Sequence, residues 1–252
     1  MTVLITGATS GIGLACAKIF AKNNYNIVIT GRRLDRLNLI KAQLENDFGI
    51  SVISLNFDIQ NQSEVVKEIK KIKDNKININ VLINNAGLAA GLSTIQNGEL
   101  NHWESMINTN IKGLLYVTKE ISNWMIEQKT FGHIINIGSI AGKEVYPNGN
   151  VYCATKHAVD ALNKAMRIDL LPHNIKVSSV NPGMVETEFS VVRFDGDTDR
   201  AKKVYEGLTP LKPEDIAETV YWIANRPAHV NINDVVIMPT AQANSTINIR
   251  KA

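Results

Sequence analysis

The sequence predicts an α/β fold in which one mostly parallel sheet is wound on both sides by helices. Three observations carry this: short apolar runs alternate with longer amphipathic stretches, the polar and glycine residues cluster just after the apolar runs, and glycines and prolines are scattered. Strands joined by crossover helices must lie parallel, and right-handed crossovers place helices on both faces.

The first apolar run, Thr2 to Thr6, leads into Gly7, Gly11 and Gly13, and a helical pattern follows from Gly11 to Asn23. Further strands are predicted at Asn26–Thr30, Ser51–Phe57, Asn80–Asn84, His133–Ser139, Lys176–Val180 and Asp234–Met238. Helices are predicted at Leu34–Asp47, Ser63–Asp74, Trp103–Glu127, Val151–Leu171 and Pro213–Asn225. Seven strands in this order describe a single Rossmann-type domain over residues 1–252, its sheet of six strands extended by an edge strand near Asp234. Its ligand crevice belongs at the carboxyl ends of the strands.

Composition excludes several classes. The 252 residues are 44% hydrophobic and 20% charged, ordinary for a soluble protein, and show no internal repeat. A net charge of +3 is dispersed without long like-charge blocks, so nucleic acid is not an expected partner. Basic residues are densest from Lys67 to Lys76, where their spacing beside Val65, Val66, Ile69 and Ile72 reads as a solvated helix face. No apolar run is long enough to span a membrane, and cleavage of a leader would remove the first glycine turn. Cys16 and Cys153 lie far apart in helical patterns, so a reducing, cytoplasmic setting is expected. The histidines lack ligand spacing, and no metal is expected.

Gly7, Gly11 and Gly13, with Thr9, Ser10 and Ile12 between them, give a GxxxGxG turn between a strand and a helix. Glycine allows close backbone approach, and the free N–H groups at the helix start attract a pyrophosphate. After the second strand, Gly31-Arg32-Arg33 offers no carboxylate for a ribose hydroxyl and two guanidiniums for a 2′-phosphate, which favours NADP. The competing reading has Arg32 and Arg33 merely opening a solvated helix. Asp58 follows the third strand, where it meets the adenine or caps the next helix.

Tyr152 and Lys156 stand four residues apart and share a helix face. A tyrosine must lose about three pKa units to act as a base near neutrality, and a neighbouring ammonium favours the phenolate. Ser139 ends the preceding strand, where its hydroxyl can meet a substrate oxygen; its plain alternative is a turn residue.

Thr6-Gly7-x-x-x-Gly11-Ile12-Gly13, Asn84-Asn85-Ala86-Gly87, Asn110, Ser139, Tyr152-x-x-x-Lys156 and Pro182-Gly183 occur in an order and spacing that resemble the classical short-chain dehydrogenase/reductases over nearly the whole length. The resemblance implies that Tyr152 is the general acid/base, that Lys156 lowers its pKa and holds the nicotinamide ribose, and that Ser139 orients the reacting oxygen. It implies that Asn110 continues a proton path through water to Lys156. It implies that Asn85, Ala86, Gly87, Pro182, Gly183, Val185 and Thr187 line the cofactor, and that the protein is a homotetramer.

The polar stretch from about 186 to 210 reads as a substrate lid. Within it, Arg193 suits a substrate carboxylate, or else pairs with Asp195, Asp197 or another neighbour. Thr187-Glu188-Phe189-Ser190-x-Val192-Arg193-Phe194-x-Gly196-Asp197 is similar to the NADP-dependent 3-hydroxy acid dehydrogenases that act on serine and L-allo-threonine. The implied reaction interconverts 3-hydroxy acids, 3-hydroxypropionate among them, with 3-oxo acids or semialdehydes. A 3-oxoacyl carrier reductase, a broad carbonyl reductase and a non-catalytic NADP-binding regulator are the alternatives. The polar tail at about 241–252 either reaches a neighbouring subunit or hangs loose.

Overall fold

A computed structural model describes residues 1–251. Its seven strands are β1 (Thr2–Ile5), β2 (Asn26–Gly31), β3 (Val52–Asn56), β4 (Val81–Asn84), β5 (His133–Ile137), β6 (Lys176–Pro182) and β7 (Asp234–Ile237). They form one sheet in the order β3-β2-β1-β4-β5-β6-β7, every pairing parallel. This is the predicted doubly wound arrangement, with β7 as the added edge.

The central strands read as continuous apolar runs because both faces of the sheet are covered. Alternation along β1 divides the core. Val3 and Ile5 pack with Phe20, Leu37 and Ile216 on one face, whereas Leu4 packs with Ile69, Val117 and Ile121 on the other. The first face is covered by α1 (Gly11–Lys22), α2 (Leu34–Phe48) and α9 (Pro213–Ala224), the second by α3 (Gln62–Asp74), α5 (Leu114–Glu127) and α6 (Asn150–Asp169). Lys67, Lys70 and Lys71 on α3 are exposed as expected, but so is Val66, which the sequence reading had placed on the apolar face.

Two predicted elements differ in kind. The stretch Trp103–Glu127 is not one helix: α4 (Leu100–Ile107) and α5 flank a π-helical turn, Asn108–Gly113. Such turns insert an extra residue into the helical ladder, a change that leaves hydrophobic periodicity nearly intact and so hides from it. The polar stretch after Glu186 is not irregular throughout, for it folds into α7 (Phe189–Arg193) and α8 (Thr198–Lys203). Asp197 caps α8 by accepting from Arg200 N at 2.9 Å.

The tail is not loose over its described part. Gln242 and Asn248 form an antiparallel bridge, Lys251 N donates to Gly207 O at 2.8 Å, and Arg250 donates to Glu206 O at 2.6 Å and Val204 O at 3.0 Å. The tail thus returns across its own chain just beyond α8. Ala252 lies outside the described residues.

Candidate active site

A cleft of about 560 Å³ opens at the carboxyl ends of the strands, within the usual size for a cofactor site. Gly7, Thr9, Ser10, Gly11 and Ile12 line one end, with Arg32, Arg33 and Asp58 beside them. Asn85, Ala86, Gly87, Ser139, Tyr152, Lys156, Pro182, Gly183, Val185, Thr187 and Arg193 line the rest. Of the residues read from the sequence as catalytic, cofactor-binding or substrate-binding, Gly13 and Asn110 stand behind this surface.

Gly7 and Gly11 have φ of +65° and +53°, so the turn requires glycine at both. At Gly13 a Cβ would strike the carbonyl of Gly7 and the amide of Asn85, which itself donates to Thr6 O at 2.9 Å and Gly7 O at 3.1 Å. The loop is therefore packed from beneath by the end of β4.

Arg33 does more than open a helix. Its Nη2 donates to Thr9 Oγ1 at 2.7 Å and Ser10 Oγ at 3.0 Å, and its Nε to Thr9 Oγ1 at 3.2 Å. This holds two hydroxyls, their protons free to donate, against a guanidinium charge at one point beside the glycine turn, a set that fits a phosphate. Arg32 lies 3.6 Å from Asp58, and both are substantially exposed. Asp58 does not cap α3. Asn61 does, accepting from Ser63 N and Glu64 N, while Asp58 accepts from Gln60 N at 3.0 Å in the preceding turn. The shorter reach from Asn61 wins the cap because it immediately precedes the helix.

The other end of the cleft gathers Ser139, Tyr152 and Lys156. Ser139 stands in extended backbone at the end of β5, its hydroxyl accepting from Ala141 N at 3.1 Å. Tyr152 and Lys156 are buried on α6. Close packing of the Ser139 turn on α6 requires Gly142, whose Cβ would fall 2.6 Å from Lys156 O.

The ammonium of Lys156 donates to Ile137 O at 3.0 Å and sits 6.0 Å from the Tyr152 ring centre. Burial brings its pKa down to about 8. Burial acts the opposite way on Tyr152, lifting the phenol well above its ordinary value, with the Tyr146 phenol raising it further. Hydrogen bonding with Ser139 and the charge of Arg193 oppose that rise. The Lys156 ammonium is held by the Ile137 carbonyl in the protein alone. The protein by itself keeps Tyr152 protonated.

Asn110 sits in the π-turn with both of its amide hydrogens and its oxygen engaged. Its Nδ2 donates to Leu88 O at 2.8 Å and Thr155 Oγ1 at 3.0 Å, and its Oδ1 accepts from Leu88 N at 2.9 Å. Its side chain braces the loop after β4 against α6, and a Cβ added at the intervening Gly87 would lie 3.3 Å from Asn110 Oδ1 and 3.6 Å from Lys156 Nζ.

Arg193 turns inward. Its guanidinium carbon lies 5.5 Å from the Tyr146 ring centre and 5.8 Å from that of Tyr152. Its Nε donates to Gly91 O at 3.2 Å and its Nη2 to Tyr146 Oη at 3.1 Å, and Gly91 N donates to Arg193 O at 2.9 Å. It is not paired with Asp195 or Asp197. Asp195 lies 3.7 Å from His102, and Asp197 caps α8. Among the described residues no carboxylate forms an ion pair with Arg193.

Sequence reading missed Tyr146, Phe189, Tyr205 and Gln242, all of which line the cleft. Phe189 stands edge-on to Tyr152 with ring centres 5.8 Å apart. Tyr205 donates to Val185 O at 2.8 Å and shares a 2.7 Å bond with Ser190 Oγ, and Gln242 accepts from Met184 N at 2.9 Å. These contacts close over long sequence separations, so no local pattern announces them. Among the described residues no cluster of histidine, cysteine or carboxylate side chains could hold a metal.

A doubly wound sheet with a glycine turn at one end of its crevice and a serine, tyrosine and lysine at the other defines a dinucleotide-dependent oxidoreductase. The family model for short chain dehydrogenases matches residues 1–197, and the chain belongs to that family. It is 43% identical, over the full length of both chains, to the NADP-dependent 3-hydroxy acid dehydrogenase YdfG of Salmonella typhi. It is 40% identical to serine 3-dehydrogenase of Agrobacterium fabrum, covering 96% of this chain and 95% of that one. Among solved structures, the closed form of serine dehydrogenase complexed with NADP+ superposes with a TM-score of 0.91 at 39% identity, covering all of both chains.

Proposed function

We propose that this protein is an NADP-dependent dehydrogenase that interconverts 3-hydroxy acids with 3-oxo acids or semialdehydes, with Tyr152 as the proton donor and acceptor. The observation that carries the substrate class is Arg193, an arginine facing Tyr152 from above with no carboxylate partner among the described residues. The names of the relatives in Salmonella and Agrobacterium support the same class.

Bound NADP would accept the hydride in oxidation and supply it in reduction. Arg32, Arg33, Thr9 and Ser10 would hold its 2′-phosphate, and the Gly7–Gly13 turn its pyrophosphate. Asn85, Ala86, Gly87, Pro182, Gly183, Val185 and Thr187 would line its path. Asp58 would stand at its adenosine end.

In reduction, the protonated Tyr152 donates to the substrate oxygen that Ser139 positions. In oxidation, Tyr152 must accept the hydroxyl proton. Lys156 would then favour the phenolate of a phenol that burial holds up. Asn110 holds the loop and helix between which a water could pass protons to Lys156. Arg193 would bind the carboxylate and so fix which carbinol meets Tyr152.

Leu115 on α5 and Ile168 on α6 are exposed apolar side chains, and they support a homotetramer built on those helices. No helix is long and apolar enough to cross a membrane among the described residues, which accords with a cytoplasmic enzyme.

The test is a spectrophotometric panel of NADP and NAD against L-serine, L-allo-threonine, 3-hydroxypropionate and a 3-oxoacyl thioester. Turnover of the hydroxy acids, faster with NADP, is the expected result. Activity confined to the thioester would instead assign a carrier reductase, and binding of NADP without any turnover would assign a regulator.

A further inference from the structure

We infer that Glu188 is a positioning residue that couples occupation of the 2′-phosphate site to closure of the lid over the substrate. The inference rests on the NADP reading above. Its basis is that one guanidinium touches both places. Arg33 directs Nε and Nη2 at Thr9 and Ser10 beside the glycine turn, while its Nη1 donates to Glu188 Oε2 at 2.9 Å. Arg36 holds the other side of the same carboxylate, donating to Oε1 at 2.8 Å and Oε2 at 3.1 Å.

Glu188 lies where the lid begins. The next residue, Phe189, stacks edge-on against Tyr152, and Arg193 at the far end of the same short helix faces the Tyr152 ring. Fixing Glu188 therefore fixes the start of the segment that encloses the substrate. The sequence separation of 155 residues between Arg33 and Glu188 makes this contact a link between halves of the fold rather than a local pair.

The two anions do not compete. A phosphate beside Thr9 and Ser10 would meet the hydroxyls whose oxygens accept from Nε and Nη2 of Arg33, whereas Glu188 takes Nη1. Planar guanidinium geometry lets one group serve both at once. A phosphate that locks this fork also locks the nitrogen on which Glu188 rests, so less freedom remains to be lost when the lid closes. NAD, lacking the phosphate, cannot supply that restraint. The side chains of Arg33, Glu188 and Arg36 are 43%, 46% and 47% exposed, so the link is weak enough to open and close during turnover. Among the described residues the Arg36 guanidinium donates to no group other than Glu188.

Coupling of this kind must be reciprocal: NADP tightens the hydroxy acid, and the hydroxy acid tightens NADP. The experiment measures KM for L-serine at saturating NADP and at saturating NAD, in the wild type, Glu188→Gln and Arg36→Gln. In the wild type KM is expected to be about five-fold lower with NADP. Both variants should bring that ratio to near one, while NADP alone, titrated by nucleotide fluorescence, binds within about two-fold of wild type. A variant ratio equal to the wild-type ratio would overturn the coupling, as would several-fold tighter NADP binding by Glu188→Gln, which would make Glu188 a competitor of the phosphate. A wild type that does not prefer NADP in the binding titration overturns the cofactor reading itself, and the coupling with it.

Discussion

Tyr152 and Lys156 on the floor of the cleft, and Asn110 behind it, are at most 9% exposed, whereas the side chains of Glu188 and Arg36, which fasten its roof, are 46% and 47% exposed. The floor is built on α6 and a π-turn braced by buried hydrogen bonds. Its roof is two short helices held by Gly91, Glu188 and the returning tail. Buried hydrogen-bonded groups keep their geometry, while exposed ion pairs contribute little each and exchange readily. The fold thus separates a fixed place for proton transfer from an adjustable one for choosing the substrate.

The sharpest break between the regions should come at Tyr152. Tyr152→Phe removes the proton without altering the packing, so kcat should fall about 1000-fold while NADP affinity stays within two-fold. Normal turnover by this variant would end the proposed mechanism.

Lys156 tests the cost of the floor. Burial lowers its folded pKa from 10.5 to about 8, so folding disfavours the charged form. The unfolded chain binds the extra proton between those two values, and stability therefore rises with pH across that window. Denaturant unfolding of the wild type and Lys156→Met should show their difference shifting by up to about 3 kcal/mol in favour of the wild type between pH 7 and pH 11. A pH-independent difference would mean that the ammonium is better solvated than its burial implies.

At the cofactor end, replacing Arg32 and Arg33 together by alanine should weaken NADP about 100-fold and leave NAD within about two-fold. Isothermal titration with both nucleotides checks this. Equal losses would show that the arginines support the glycine turn rather than a phosphate.

Most of the sheet was legible because both faces of its central strands are buried, which turns them into apolar runs such as Ile134-Ile135 or Val3-Leu4-Ile5. The chemical residues were legible through short motifs at strand ends. Tertiary contacts were not. The π-turn around Asn110 preserves an apolar pattern that fits an unbroken helix, and Tyr146 meets Arg193 only because α7 folds back over α6. The polar tail read equally as loose or as reaching a neighbouring subunit, yet backbone carbonyls between residues 203 and 207 of its own chain accept its hydrogen bonds, and side-chain composition is silent about carbonyls.

Selection of a carboxylate by the roof is most directly tested with 3-hydroxypropionate and its methyl ester, which present the same hydroxyl with and without the charge. The ratio of their kcat/KM values, measured with NADP in the wild type and in Arg193→Ala, isolates the contribution of the guanidinium. The wild type should prefer the acid, and Arg193→Ala should lower that preference about ten-fold by losing the acid alone. An unchanged ratio, with both substrates slowed equally, would contradict it.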